Sequence, residues 1–465
     1  MYFCKNYLEK SFFLCFNIYV NKTFRRISMK TKVKVAVQMK APGVPGWPCI
    51  NYDYDRELAR VMAPVYAANP DIEFDIFKYT NVEMAKADYA SDLEKYDGVL
   101  VLLMTNWLKI DEFYINQSKE GLPTIVCDVP YCGSGSMLEK TSPLIRGGGF
   151  PVPMVSSFNY NDIASAARLF AVIKKMKEAK ILVVKNRAQE EIQSAAQKIW
   201  GCSFINKTAE ELMSVFAEIS DEDAAPLAEK WEREAAEVRE PTMADIMQGA
   251  KLYLAMKKMM AECGADAVTI DCLELSYNDI YGESCHMYPC LAYYQMANDG
   301  EIGICEADIN STISAMLTLW LTGRPGYVSD PVIDTSSGQI IYSHCVACRK
   351  VYGKDDPRSC QYYIRSHAED KKGASVQVIF PCGEKLTTVQ ISNVDGWASI
   401  HSSVSCGNAS GENGCRSKLC ATCEAESILE NWMPQWHRVT VFGDYRKDMK
   451  NLFKMKGYTI IEEDK

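Results

Sequence analysis

The chain has 465 residues, 48% of them hydrophobic, and carries 51 basic and 60 acidic side chains for a formal net charge of −9. This length exceeds one ordinary hydrophobic core and predicts two or three globular domains. This excess of acidic side chains gives no sign of a positively charged surface that would bind nucleic acid or an anionic membrane, so the expected partner is a small molecule of little charge.

The first 28 residues are predicted to lie outside the folded core. Their hydrophobic stretch SFFLCFNIYV contains Asn17, has no small-residue cleavage site after it and is followed by Arg25 and Arg26, which argues against a secretory signal. We expect a disordered tail or an artefact of an upstream start codon. No apolar run approaches the roughly 20 residues that span a bilayer. The expected location is the cytoplasm, where the 19 dispersed cysteines stay reduced.

Residues 29–160 are predicted to form an N-terminal α/β domain. The extended runs VKVAVQM, IEFDIF, DGVLVLLM and PTIVCDVP alternate with helical patterns, which is typical of a parallel sheet wrapped by helices. Three consecutive glycines at 147–149 and the prolines after them mark the end of this unit.

Residues 161–333 are predicted to form a second, central α/β domain. Thr208 and Glu211 have the spacing of a capping box at the start of a helix. A longer helix is predicted to begin near Thr242 and to stop at Gly264. The methionines inside that helix are interpreted as core residues rather than as ligands.

Residues 334–465 are predicted to form a β-rich C-terminal domain. The runs QIIYSHCV, ASVQVIF, LTTVQIS and RVTVFGD are strand-like and are separated by turn sequences. The expected fold class is therefore α/β, with two doubly wound α/β domains followed by a β-rich, barrel-like domain.

Two carboxylates in the central domain stand out by their position. Glu306 follows the apolar run EIGIC, and Asp330 follows another extended run, with a helix predicted over residues 309–322 between them. If both runs lie parallel in one sheet, their carboxyl ends share an edge and the two carboxylates face one pocket. An acid in such a place also serves often as a helix cap or ion-pair partner.

Histidines strengthen the interpretation of these carboxylates as a metal site. The chain has only five, and His344, His367 and His437 each lie beside a strand-like run. A single histidine in such a place is usually a packed core residue. Two carboxylates with one or two imidazoles, however, suit Mn²⁺, Mg²⁺, Fe²⁺ or Co²⁺ and leave coordination positions open for a substrate. Of these, Mn²⁺ is the ion that we expect.

Several segments carry a resemblance to a known family. GICEAD, LTGRPGYVSDP, YSHCVA, YIRSHAE, GCRSK and WHRVTVFGD occur in this order and resemble the signature segments of the L-fucose isomerase and L-arabinose isomerase family. The resemblance implies metal-dependent interconversion of an aldose and a ketose, a pentose or deoxyhexose, through an enediol. It also implies assembly of identical subunits into trimers or hexamers.

The resemblance assigns roles to particular residues. Glu306, Asp330 and His437 correspond to metal ligands, and His344 is a further candidate ligand. The two carboxylates also correspond to the groups that move the proton between C1 and C2. Beside His437, the side chains of Trp432, Gln435 and Trp436 are candidates for stacking on the sugar and for hydrogen bonds to it, although packing at a domain edge explains them equally well.

Two other functions remain open at this stage. The first is a cysteine-rich metal or redox protein, because four cysteines cluster in the C-terminal sequence: Cys406, Cys415, Cys420 and Cys423. The second is a non-catalytic sugar-binding protein with a cleft between two α/β domains. The sequence has no G-x-S-x-G segment and no glycine-rich phosphate loop, so a serine hydrolase or a nucleotide-dependent enzyme is not expected.

Overall fold

The computed structural model describes residues 30–276 and 287–465. The prediction for the N-terminal extension, residues 1–28, lies outside these ranges. The described chain is a mixed α/β protein with two parallel sheets, one mostly antiparallel sheet and a two-stranded ribbon. None of the helices within the described ranges is both long and apolar enough to cross a bilayer.

The first sheet is parallel throughout, with strand order β2-β1-β3-β4-β5. Its strands are β1 (Thr31–Gln38), β2 (Ile72–Tyr79), β3 (Gly98–Leu103), β4 (Thr124–Asp128) and β5 (Met154–Ser156). The helices between them are α1 (Tyr54–Ala68), α2 (Val82–Lys95) and α3 (Ile110–Gln117), followed by a helical stretch made of Ser134–Ser136, Met137–Thr141 and Ser142–Gly148. Strand β3 is buried along its whole length, as expected for the centre of a sheet covered on both faces.

The second sheet is also parallel, with strand order β7-β6-β8-β9. Its strands are β6 (Lys180–Val184), β7 (Ser203–Lys207), β8 (Ala267–Ile270) and β9 (Ile302–Cys305). Its helices are α4 (Asn161–Glu178), α5 (Glu190–Trp200), α6 (Ala209–Ala217), α7 (Asp221–Glu234), α8 (Met243–Cys263), α9 (Cys272–Ser276), α10 (Cys290–Asn298) and α11 (Ile309–Thr322).

Local sequence signals explain where these helices begin and end. The capping box predicted for Thr208 and Glu211 is present at the start of α6. Helix α8 begins after Thr242, which caps it, and ends at Gly264 in the left-handed conformation, so both predicted boundaries are confirmed. A glycine adopts this conformation without the steric cost that a Cβ atom imposes.

The third sheet is a ring of six antiparallel strands in the order β14-β17-β10-β11-β16-β15, which is closed by pairing between β14 and β15. These strands are β10 (Tyr327–Asp334), β11 (Gln339–His344), β14 (Lys385–Ser392), β15 (Trp397–Asn408), β16 (Ser417–Thr422) and β17 (Arg438–Phe442). Strand β18 (Thr459–Glu462) pairs in parallel with β15. Strands β12 (Gln361–Arg365) and β13 (Ser375–Ile379) form the two-stranded ribbon. The helices of this region are α12 (Ala425–Glu430) and α13 (Arg446–Met455). Closing the ring removes the open edges that a flat sheet would leave.

One premise of the sequence interpretation is wrong. The strand that carries Asp330 is β10, which pairs antiparallel with β11 and β17 in the ring and is not part of the parallel sheet that ends at Glu306. The short run before Asp330 resembles a parallel strand because it is apolar and follows a helix. Its hydrogen-bond partners lie far along the chain and leave no local signal.

Helix α11 joins the second sheet to the ring. Four of its serine and threonine side chains are buried, namely Ser311, Thr312, Ser314 and Thr318, and those of Ser311 and Ser314 hydrogen-bond to Gln390 on β14. Asn393 at the end of β14 donates to the Asn310 side chain at 2.7 Å. Buried polar groups are costly unless they are paired, so these bonds fix the position of the helix against the ring.

Candidate metal centre

Glu306 stands at a sharp turn directly after β9. Both Glu306 and Ala307 have positive φ angles, 63° and 50°, in the left-handed region that side chains with a Cβ atom rarely occupy. Such residues cost on the order of 1–3 kcal/mol each and tend to occur at functional sites. The backbone N–H of Ala307 donates to the Ile270 carbonyl at 3.0 Å, which holds the turn against β8.

The other three predicted residues come from the ring. Asp330 lies in β10, His344 is the last residue of β11, and His437 directly precedes β17. Asp330 pairs with Ser343 in one neighbouring strand, and Ser329 pairs with Arg438 in the other. The register therefore places all three side chains at one rim, next to the Glu306 turn.

These four side chains converge. Each has one nitrogen or oxygen atom of a kind that can bind a metal, and the four atoms all lie within 4.8 Å of one another. His437 Nε2 lies 3.2 Å from Asp330 Oδ1 and 3.5 Å from Glu306 Oε2. His344 Nε2 lies 3.8 Å from a carboxylate oxygen of each. Adjacent ligands of one octahedral ion at about 2.1 Å stand about 3 Å apart, so the spacing is close to that of a metal site.

Asp308 is a fifth member of the site that the sequence analysis did not assign. Its Oδ2 lies 2.8 Å from His437 Nδ1, so His437 is held with Nδ1 as the donor and Nε2 turned toward Glu306 and Asp330. A carboxylate behind a ligating imidazole is the usual outer partner in metal sites. Asp308 also caps α11 by accepting from the Ser311 backbone N–H at 3.0 Å. The capping pattern was the only sequence signal for it.

Gln390 connects the two parts of the site. Its side chain is fully buried on β14, and its Nε2 donates to Ser311 Oγ and to the His437 carbonyl, each at 2.9 Å. Ser311 Oγ in turn donates to Asp308 Oδ2 at 2.6 Å. One amide thus fixes both the backbone of His437 and the serine that orients its carboxylate partner.

His344 differs from His437 in its hydrogen bonds. Its Nδ1 accepts the backbone N–H of Cys345 at 2.9 Å, so a neutral His344 carries its proton on Nε2, as assigned from this network. That nitrogen lies 3.3 Å from Cys305 Sγ and faces both carboxylates. In this tautomer His344 donates to oxygen or sulfur and offers no lone pair to a cation.

The three carboxylates around His437 set its charge. Burial disfavours the imidazolium, but Asp308, Asp330 and Glu306 outweigh burial and raise the pKa of His437 to about 12. Burial also raises the pKa values of Asp308 and Asp330, and here the contact with His437 outweighs it and lowers both. In the ion-free protein Asp308 and Asp330 are therefore ionised next to a protonated imidazole.

This charge state predicts proton release when a cation binds. The raised pKa keeps His437 protonated at neutral pH, and Nε2 must lose its proton before it can coordinate. Metal affinity should thus rise with pH, by about tenfold per unit between pH 6 and 8. Calorimetric titration with Mn²⁺ in buffers of different ionisation enthalpy should report about one proton released per ion. Binding without any proton release would show that His437 is not a ligand.

Asp308→Asn tests the role of the outer carboxylate. We expect metal affinity to fall by about 10–100-fold, the usual effect of losing such a partner, because the amide leaves the orientation and basicity of His437 unsupported. Asparagine still caps a helix, so α11 should persist. Asp53→Asn is the matched control, because Asp53 caps α1 in the same way, and it should leave affinity unchanged. Equal affinities of the two variants would rule out this role for Asp308.

The predicted sugar-binding residues lie in different environments. The Trp432 ring is covered by the Arg438 guanidinium at 3.6 Å, and its Nε1 donates to the Gln435 carbonyl. The Gln435 side chain donates to the Ile391 carbonyl at 3.2 Å. Trp436 is 66% exposed, and its Nε1 donates to the carbonyl of Pro331, next to Asp330. Of the three, Trp436 alone presents a large open surface near the carboxylates.

The four cysteines of the C-terminal sequence do not join this centre. Among the residues that the structure describes, the one group of three or more metal-ligating side chains that converges is Glu306, Asp330, His344 and His437. Cys420 lies in β16 opposite Gly407 of β15, next to Cys406. Cys415 instead contacts Cys345, in the loop that leads into β16.

The donor set fits a hard divalent cation. Two carboxylates and an imidazole whose Nε2 faces them, once that nitrogen has lost its proton, are the ligands that Mn²⁺, Mg²⁺, Fe²⁺ and Co²⁺ accept. Glu306, Asp330 and His437 would hold the ion, with Asp308 behind His437. In comparisons with known proteins, no protein-family model and no curated protein matched this chain.

Proposed function

We propose that the protein is a metal-dependent aldose–ketose isomerase that acts on a pentose or deoxyhexose, such as L-fucose or L-arabinose, through an enediol. The observation that carries this proposal is the convergence of Glu306 and Asp330 with His437, which is backed by Asp308. The family-like segments supply the reaction class, since the geometry alone fits many metal enzymes. Under this proposal the two parallel sheets and the ring form three domains, the first two doubly wound.

The reaction requires a proton to move between neighbouring carbons of an open-chain sugar. A divalent cation, preferably Mn²⁺, when bound supplies a Lewis acid that stabilises the negative charge developing on the two sugar oxygens. Glu306 and Asp330 are the groups that accept the proton from one carbon and return it to the other. His344, with its proton on Nε2, is placed to donate a hydrogen bond to a sugar oxygen.

Exposure supports a direction of substrate approach. The Glu306 side chain is 34% exposed and the Asp330 side chain 17%, whereas those of both histidines are below 10%. The sugar would reach the site from the side of Glu306, with the exposed Trp436 ring at the rim. An indole face suits the apolar C–H face of a sugar ring.

The proposal includes assembly of identical subunits, as trimers or hexamers, in the cytoplasm. Large exposed side chains support an interface, because they gather in the loops after strands of the first sheet. Trp107 follows β3, Tyr131 follows β4, and Phe158 follows β5, with exposures of 56%, 69% and 70%. The Tyr131 and Phe158 rings contact each other, with centroids 5.7 Å apart, and Trp107 lies at the same edge because the carboxyl ends of parallel strands share it. Exposed apolar groups of this kind mark interaction surfaces.

A substrate panel tests the function. The full-length protein is stripped of metal, reconstituted with Mn²⁺ and incubated with aldopentoses and deoxyhexoses in D₂O. Ketose formation with deuterium at C1 or C2 is expected, and both should disappear with a chelator and return with Mn²⁺. Sugar binding without either signal across the panel would favour a non-catalytic binding protein and overturn the proposal.

A further inference from the structure

A pair of cysteines lies next to the metal centre at the end of one strand pair. Cys345 directly follows β11, and Cys415 lies two residues before β16. The ladder between these strands ends with His344 opposite Ser417, so both cysteines leave the ring at the same place. Both are free cysteines, and Cys415 packs against the buried cluster that contains Cys345, where the two thiols interact.

A histidine and an aspartate lie beside this thiol pair and are linked to it by successive contacts. The His367 side chain contacts the Cys345 thiol, and His367 Nδ1 lies 3.3 Å from Asp370 Oδ1. The Tyr288 hydroxyl also hydrogen-bonds to Asp370, and its ring lies 5.2 Å from the imidazole. A thiol thus has an acceptor for its proton, and that acceptor is held by a third group.

Two features favour sulfur chemistry over a second metal site here. In the described parts of the chain the thiols and His367 do not form a convergent ligand group. The two sulfurs also differ in access, because Cys345 is 2% exposed whereas Cys415 is only half-buried. An oxidant therefore reaches Cys415 first, with a second thiol already in contact with it.

We propose that Cys345 and Cys415 form a reversible disulfide, a modification site adjacent to the metal centre. A peroxide oxidises the Cys415 thiol to a sulfenic acid and releases one water. The Cys345 sulfur then attacks the Cys415 sulfur, its proton passes through His367, and the hydroxyl group leaves as a second water. Two thiols and one hydrogen peroxide thus give one disulfide and two waters, and a thiol reductant reverses the step.

The disulfide would act on the metal centre through the backbone. The Cys345 N–H is the donor to His344 Nδ1, and an S–S bond requires specific Cα and Cβ positions, so the disulfide would constrain the backbone group that fixes the His344 imidazole. This consequence rests on the proposed function, but the disulfide itself does not.

Peptide mapping tests the disulfide directly. The full-length protein is treated with equimolar hydrogen peroxide, its remaining thiols are alkylated, and it is digested without reduction for mass spectrometry. A peptide pair linked through Cys345 and Cys415 is expected, and it should disappear on reduction. Cys345→Ser and Cys415→Ser should each abolish it, whereas Cys382→Ser, which removes an exposed thiol, should not.

The proposed role of His367 as the proton acceptor is tested by the rate at which the disulfide forms. His367→Gln should slow formation of the linked peptide by roughly 10²-fold or more, while the reduced protein keeps its circular dichroism spectrum. The proposal is overturned if Cys345 and Cys415 remain fully alkylated at peroxide levels that oxidise the exposed Cys382 and Cys406. It is equally overturned if those two exposed residues form the linkage in place of Cys345 and Cys415. Neither result depends on isomerase activity.

Discussion

Glu306→Gln is expected to lower kcat for aldose–ketose interconversion by about 10²–10⁴-fold. The amide keeps the size of the side chain and the left-handed backbone at this position but cannot take a proton from carbon. Proton exchange between sugar and solvent should fall with turnover, because both depend on the same proton removal. The measurements are the initial rate of ketose formation at saturating Mn²⁺ and the deuterium content of recovered aldose at C2.

Glu301→Gln is the matched control for this variant. Glu301 precedes β9, at the end of the strand opposite to Glu306, and its side chain is 33% exposed, close to the 34% of Glu306. It pairs with Lys257, and losing such a partly exposed ion pair costs at most about 1 kcal/mol. Its kcat should equal that of the wild type. A metal-replete Glu306→Gln protein with full activity would remove Glu306 from the proposed chemistry.

His437→Gln and His344→Gln are expected to separate the two histidines. His437→Gln should weaken Mn²⁺ binding by more than the roughly 10–100-fold that loss of an outer partner causes, because it removes the nitrogen that Asp308 orients toward the cation. His344→Gln should weaken binding by less than about tenfold, because its Nδ1 accepts the Cys345 N–H and its Nε2 carries the proton. Calorimetric titration and Mn²⁺ electron paramagnetic resonance measure both affinities.

Folding is the control for this comparison. Loss of His437 leaves the carboxylates of Glu306, Asp308 and Asp330 close together without a cation, which destabilises the ion-free protein by like-charge repulsion. Thermal melts followed by circular dichroism should therefore accompany each titration, and affinities should be compared well below the lower melting point. Equal loss of affinity in the two variants would mean that His344 coordinates through Nε2 after all, by giving up its bond to Cys345.

The sequence predicted which side chains lie close together better than it predicted how the fold brings them together. The spacing of Glu306 after an apolar strand and the pattern of the helix before Gly323 are local signals, and helix α11 ends at Gly323 as predicted. The partner strands of Asp330 lie in β11 and β17. Residue periodicity does not distinguish a strand in a parallel sheet from one that forms a hairpin with β11 and also pairs with the distant β17, so the parallel arrangement assumed for Asp330 was wrong, although its carboxylate does lie close to that of Glu306.

Gln390 and Asp308 show what sequence reasoning cannot reach. A glutamine in the strand-like run LTTVQIS is a polar residue in a half-buried pattern, and only the fold reveals that it bonds to the His437 carbonyl and to Ser311. Asp308 caps α11, and its second bond, to His437, depends on the ring lying against α11. Side-chain roles that depend on contacts between distant elements leave no local pattern.

The backbone conformation at Glu306 affects what a substitution at this position would do to stability and to the site. The left-handed angles at Glu306 and Ala307 suit glycine or asparagine better than glutamate. At Glu306 the backbone conformation therefore favours glycine, whereas the proposed site requires a carboxylate. Replacement by glycine would relax the turn while it deletes the carboxylate, and such a protein would gain stability as it lost the site. The turn after β9 is thus a place where stability and activity oppose each other, because the glutamate there lowers the stability of the fold.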